Sequence, residues 1–174
     1  MTSGPDRGGV LRIESGDPDH RNFGRAMPFW MARERSGFME VTVEHLGAVQ
    51  FEIRARQHTI ACDQPAENGG FDEGMTPPEL LLASLGSCAA YYAAEYLRQQ
   101  GLATEGTRVK ITAEKVKNPA RVDNFRIEIE LPLTIGAEDR EGVERAVHRC
   151  LIHNTLLHPP AIEIAIHAPE AVGR

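Results

Sequence analysis

The stretch Thr76-Pro-Pro-Glu-Leu-Leu-Leu-Ala-Ser-Leu-Gly-Ser-Cys88-Ala-Ala-Tyr-Tyr-Ala-Ala-Glu-Tyr96 decides how the rest of the chain is read. Threonine at the N-cap, proline at the first helical position and Glu79 three residues after the cap make a capping box. Leucines and alanines then crowd most sides of the turn, the pattern of a central, buried helix. Gly101 after Gln99-Gln100 supplies its stop. Capping explains Glu79 without further help.

Outward toward the N-terminus, Val41 and Val43 alternate with polar residues up to Leu46-Gly47-Ala48, a turn, and Val49, Phe51, Ile53 and Ala55 alternate after it. This predicts a hairpin with one buried face, and His58–Cys62 a third short strand. Residues 63–75 are a loop rich in turn formers. Toward the C-terminus, Val109 and Ile111 alternate, Lys117–Asn124 reads as a loop, and Ile127, Ile129, Leu131 and Leu133 alternate in a second hairpin, with Pro132 marking an edge or bulge. A second helix is expected over residues 137–153, with Val143, Ala146, Val147, Cys150 and Leu151 as its apolar stripe. Ile162, Ile164 and Ile166 alternate in an expected closing strand. The order is an α+β pattern of antiparallel hairpins with a long central helix and a second helix. Residues 1–38, rich in glycine, proline and charge, read as an N-terminal extension, and 39–174 as one domain.

Composition bounds the function. The 174 residues are 41% hydrophobic and 25% charged, with a net charge of -6. That balance argues against nucleic-acid binding, which needs a basic face. No apolar run approaches the ~18 residues of a membrane span, and no segment resembles a signal peptide. Three scattered cysteines argue against a disulfide framework or a zinc site, so no metal or cofactor is expected and a reducing cytoplasm is the default.

The thiols then need individual accounts. Cys88 and Cys150 each fit as small buried hydrophobes. Both also fall on apolar faces of the only two expected helices, which must share a sheet face or pack together, so two thiols can meet at one core-lining site. Such a pair is the hardware for reducing oxidants: one thiolate attacks, becomes a sulfenic acid, and the second condenses with it. Ionising Cys88 requires a nearby cation or a helix break at Gly86, because three turns separate it from the helix start. Arg54 and Arg56 are the nearest cations in the pattern. Glu79 lies nine residues from Cys88, roughly 13 Å along a straight helix and on its opposite side, so cooperation between them needs a bend or a partner subunit. Cys62 reads as structural. His153 reads as part of a helix cap, or as a base if Cys88 were instead the nucleophile of a cysteine hydrolase.

Three stretches resemble the OsmC/Ohr family (osmotically inducible protein C and organic hydroperoxide resistance proteins): Asp63-Gln-Pro65 with Gly69-Gly70, the helix Thr76–Cys88, and Cys150-Leu-Ile-His153-Asn-Thr155-Leu156 ahead of the isoleucine strand. The likeness spans roughly residues 41–166. It implies an intertwined homodimer with sites at the subunit interface. It further implies thiol-dependent reduction of organic hydroperoxides without metal or haem, with Cys88 as the attacking and Cys150 as the resolving cysteine. A glutamate, here Glu79, and an arginine would activate the first thiol, and a dithiol such as a lipoyl protein would act as reductant. A non-enzymatic small-molecule-binding dimer of the same fold is the alternative. The chain departs from the family pattern at Pro78, where the organic-hydroperoxide branch has its glutamate, in the turn Leu46-Gly47-Ala48, which lacks an arginine, and at Leu151, where proline often stands.

Overall fold

The expected capping box starts the longest helix among the described residues. In the computed structural model, which describes residues 39–169, α1 runs Pro77–Gln99. The Thr76 N–H and hydroxyl both donate to the Glu79 carboxylate at 2.8 Å, occupying donors that a helix start leaves open. Gly101 (φ 69°) closes the other end in the left-handed conformation. The helix is continuous through Gly86, so the break considered there does not form. Glycine serves a close approach instead: a Cβ at Gly86 would lie 3.1 Å from Ile111 Cγ1, on the strand beneath.

Upstream lie β1 (Thr42–Gly47), β2 (Gln50–Ala55) and β3 (His58–Cys62), an antiparallel sheet in that order. Downstream, β4 (Arg108–Lys117) and β5 (Ala120–Glu130) form a second antiparallel pair. The loop expected over residues 117–124 is mostly strand: β4 and β5 continue to a tight turn, pairing Lys117 with Ala120. Strand β5 ends at Glu130, so Pro132 stands beyond it, and the irregularity of this sheet lies earlier in β5, where the three steps from Arg126 to Asp123 face the two from Thr112 to Glu114. Helix α1 packs along β4 and against α2 (Ala137–Val147). Ala89, Ala93, Leu97, Val143 and Val147 make the core, with Val109, Ile127 and Ile129 packed on it. Gly142 is where α2 meets α1: a Cβ there would fall 2.1 Å from the Tyr96 ring, whose hydroxyl donates to Asp139 at 3.1 Å.

Three further expectations are corrected. The second helix is not continuous to residue 153. It stops at Val147, the chain turns through Arg149, and α3 (Leu151–Leu157) begins with Cys150 as its N-cap. The Asn154 side chain donates to the His148 carbonyl at 3.3 Å and ties the start of α3 to the end of α2. The closing strand does not form among the described residues: Ile162, Ile164 and Ile166 are unpaired and 82–87% exposed. The first hairpin forms, yet its apolar face is not buried, and Val43 and Ile60 are 59% and 49% exposed. Alternation makes that face, but nothing among the described residues covers it. The extension read over residues 1–38 lies outside the described residues.

Candidate functional site

The turn at Arg149 places Cys150 against α1. A helix continued through this point would have kept Cys150 on the α2 stripe. With extended backbone at Cys150 (φ -57°, ψ 127°), the N-cap of α3, the side chain meets the middle of α1, where Cys88 projects from the fourth turn. The two are joined in a disulfide with Cα atoms 5.9 Å apart, across 62 residues of sequence, within the range a bridge requires. Cys150 is fully buried, whereas Cys88 is partly exposed. The Cys150 sulfur accepts a hydrogen bond from the His153 backbone N–H at 3.4 Å. No hydrogen bond reaches Cys88 Sγ among the described residues.

The other expected site residues lie elsewhere. Glu79 sits at the start of α1, nine residues of unbroken helix from Cys88, and the two do not meet within the chain. Thr76 donates twice to the Glu79 carboxylate and holds it below the usual range; Lys115 adds a smaller favourable charge. Glu79 and Lys115 line one small cavity of about 190 Å³ with Gln64 and Asn68. Lys115 was not singled out from sequence, although the period of β4 puts it in phase with Ile111, the residue that meets α1. Arg54 pairs with Glu52 on its own strand, and Arg56 occupies the β2–β3 turn at φ 55°.

His153 makes no hydrogen bond to Cys88, so the nucleophile–base pair of a hydrolase is not formed among the described residues. Its ring stacks edge-on with His148, centroids 5.1 Å apart, and its Nδ1 is buried without a partner. The same two rings line a larger cavity of about 660 Å³, walled by Ile127, Ile129, Val143 and Val147, with Arg140 and Glu144 at its polar side.

Cys62 is buried and unbridged; burial first, then the neighbouring Asp63 charge, push its thiol up, the opposite of what a reactive thiol needs. Asp63 is itself fully buried. Burial works against its charge, but N–H groups of Gln64, Phe71 and Glu73 donate to its carboxylate at 2.8–3.2 Å and together hold it below the usual range. It organises the loop leading to α1, where Gly70 is required because a Cβ would strike the Gln64 carbonyl. No cluster of metal-ligating side chains is found among the described residues, and no helix there is long and apolar enough to cross a membrane.

The family model for OsmC-like proteins matches residues 70–165. A Psychrobacter arcticus 273-4 protein assigned to osmotic stress induction and the detoxification response shares the fold, with TM-score 0.63 at 22% identity over 71% of this chain and 91% of that one. An OsmC-like protein from Mycoplasma pneumoniae gives 0.59 at 20% identity over 72% and 91%. The organic hydroperoxide resistance protein OsmC from Legionella pneumophila gives 0.50 at 13% identity over 71% and 91%. At these identities the likeness carries the fold alone. No curated protein matches the chain in sequence.

Proposed function

The chain belongs to the OsmC-like family, and from that premise we propose that it is a thiol-dependent peroxidase acting on organic hydroperoxides. The observation that carries this reading is the Cys88–Cys150 bridge, which joins the sulfurs of two helical segments far apart in sequence. A structural bridge is disfavoured in a reducing compartment, whereas a redox cycle needs a pair that closes and reopens.

In the reduced protein, the Cys88 thiolate attacks the terminal peroxide oxygen. An S–O bond forms, the O–O bond breaks, and the alcohol leaves with a proton. Cys150 then attacks the Cys88 sulfenic acid, the S–O bond breaks, water departs, and the disulfide remains. A dithiol returns both sulfurs to the reduced state and leaves as its own disulfide. Partial exposure suits Cys88 to meet the oxidant, and full burial suits Cys150 to the resolving role. The name of the Legionella relative, an organic hydroperoxide resistance protein, agrees with an organic substrate.

The functional unit in this reading is a homodimer. The exposed row Val43 and Ile60 and the unpaired Ile162, Ile164 and Ile166 are apolar surface of the kind a second subunit covers. Glu79, remote from Cys88 of its own chain, would then serve the partner's site.

The test follows consumption of cumene hydroperoxide with dihydrolipoamide as reductant. Wild type turns over; Cys88→Ser abolishes consumption, and Cys150→Ser permits a single turnover that stalls at the sulfenic acid. Undiminished turnover in both variants rules the reading out. The cavity of about 660 Å³ favours one second reading, a ligand-binding dimer without peroxidase activity; its volume suits a small molecule. No peroxide consumption by wild type, with retained binding of an apolar ligand, selects that alternative.

A further inference from the structure

Resting on the redox reading above, we propose that His153 is the positioning residue of the second sulfur, holding Cys150 as the leaving thiol so that an incoming dithiol opens the bridge by attack at Cys88.

Access is the first argument. Thiol–disulfide exchange requires a thiolate to approach one sulfur along the S–S axis, so the exposed sulfur is attacked and the other leaves. Cys150 is 0% exposed, and Cys88 is the partly open partner. The second argument is the destination of the electron pair. When the incoming sulfur bonds to Cys88 Sγ, the S–S bond breaks and Cys150 takes the pair as a thiolate. Leaving is faster for a sulfur whose anion is stabilised, and Cys150 Sγ already accepts the His153 backbone N–H at 3.4 Å. Cys88 Sγ has no such donor among the described residues.

The third argument concerns the ring. Its Nδ1 is buried and lacks a hydrogen-bond partner while the bridge is closed. An orphaned buried polar atom is costly and calls for an explanation. Opening the bridge creates a new thiol one helical turn away on the same segment, and with it a partner for that nitrogen. The ring packs edge-on against His148, centroids 5.1 Å apart. Reduction then ends when the second thiol of the dithiol attacks the sulfur bonded to Cys88. Cys88 leaves as thiolate, the reductant departs as a cyclic disulfide, and both protein sulfurs are reduced.

The experiment uses the full chain with its bridge closed by diamide, so no peroxide is involved. One equivalent of 2-mercaptoethanol is added, the reaction is quenched in acid within seconds, free thiols are alkylated, and peptides are mapped by mass spectrometry. The expected adduct is on Cys88, with Cys150 alkylated. An adduct on Cys150 overturns the proposal. Failure of diamide to close the bridge overturns it together with the redox reading, whereas an adduct on Cys88 in a protein inert to hydroperoxides removes only the peroxidase. The ring is tested by the rate at which dithiothreitol opens the bridge. His153→Leu slows it about two- to tenfold, the share of one hydrogen bond, and His153→Asn, which keeps a polar atom near the Nδ1 position, restores most of it. Equal rates in all three proteins remove the ring from the assignment, and the peptide map of wild type stands independently of how His153→Leu folds.

Discussion

In β5, Ile127 and Ile129 alternate with Arg126 and Glu128, and the isoleucines pack on the core formed by α1 and α2. In the first sheet, Val43 pairs with Ile53 and Ile53 with Ile60, so the same alternation lines up three apolar side chains across three strands. There the row stays open, with Val43 59% exposed. Period-two alternation therefore specifies that a strand has an apolar face. It does not specify which layer covers that face, or whether the layer comes from the same chain. The covered sheet obtains its stability locally, from helices joined to it by short connections. The open sheet leaves its apolar surface without a covering layer among the described residues.

The largest effect is expected on the covered side. Leu97→Ala removes a fully buried side chain from the helix core and should cost about 2–5 kcal/mol, read as a lowered urea midpoint at unchanged slope. A loss below about 0.5 kcal/mol, the level of an exposed site, would erase the distinction between the two regions. Gly142→Ala tests the α1–α2 contact: its Cβ would meet the Tyr96 ring, and overpacking of this kind costs about 1–3 kcal/mol. The same measurement checks it, and Tyr96→Leu should relieve part of the loss.

On the open side, Val43→Asp should leave the secondary structure intact by circular dichroism. If a second copy covers the row, sedimentation should show the dimer weakened about tenfold, equivalent to ~1.4 kcal/mol. Unchanged association would show that the row lies outside any interface. The smallest effect at neutral pH concerns Asp63. Its carboxyl is depressed by three backbone donors, so the unfolded chain binds its proton at higher pH than the folded chain does. The stability it contributes is full above the unfolded value of about 3.9 and disappears as pH falls through the lower folded value. Urea midpoints measured from pH 6 downward should therefore decline below about pH 4, and Asp63→Asn should show a lower midpoint at pH 6 and a shallower acid decline.

Much of this fold is legible in the sequence. The start of α1 follows from Thr76-Pro-Pro-Glu79, its end from Gly101, and the first two strands from alternation. These features depend on neighbours within about one helical turn or two strand residues. The break between α2 and α3 is less visible, because Val143, Ala146, Val147, Cys150 and Leu151 keep a helical period straight through it. The stripe is the same whether the helix runs on or turns at Arg149, so it does not record the break. Lys115 was overlooked for a related reason: a charged residue on a strand reads as solvated until the cavity it shares with Glu79 is seen.

The sequence by itself determined the long helix α1 with its two ends, the alternating faces of the strands and the presence of two cysteines on apolar segments, since each is set by local propensity and periodicity. Only the tertiary structure decided that Cys88 and Cys150 meet, that Cys150 is buried while Cys88 is partly open, that Glu79 stands apart from both, and that one sheet remains uncovered among the described residues. Those outcomes depend on contacts between segments as far as 62 residues apart. Their free energy comes from packing and burial between elements, to which local periodicity contributes a surface but not a partner.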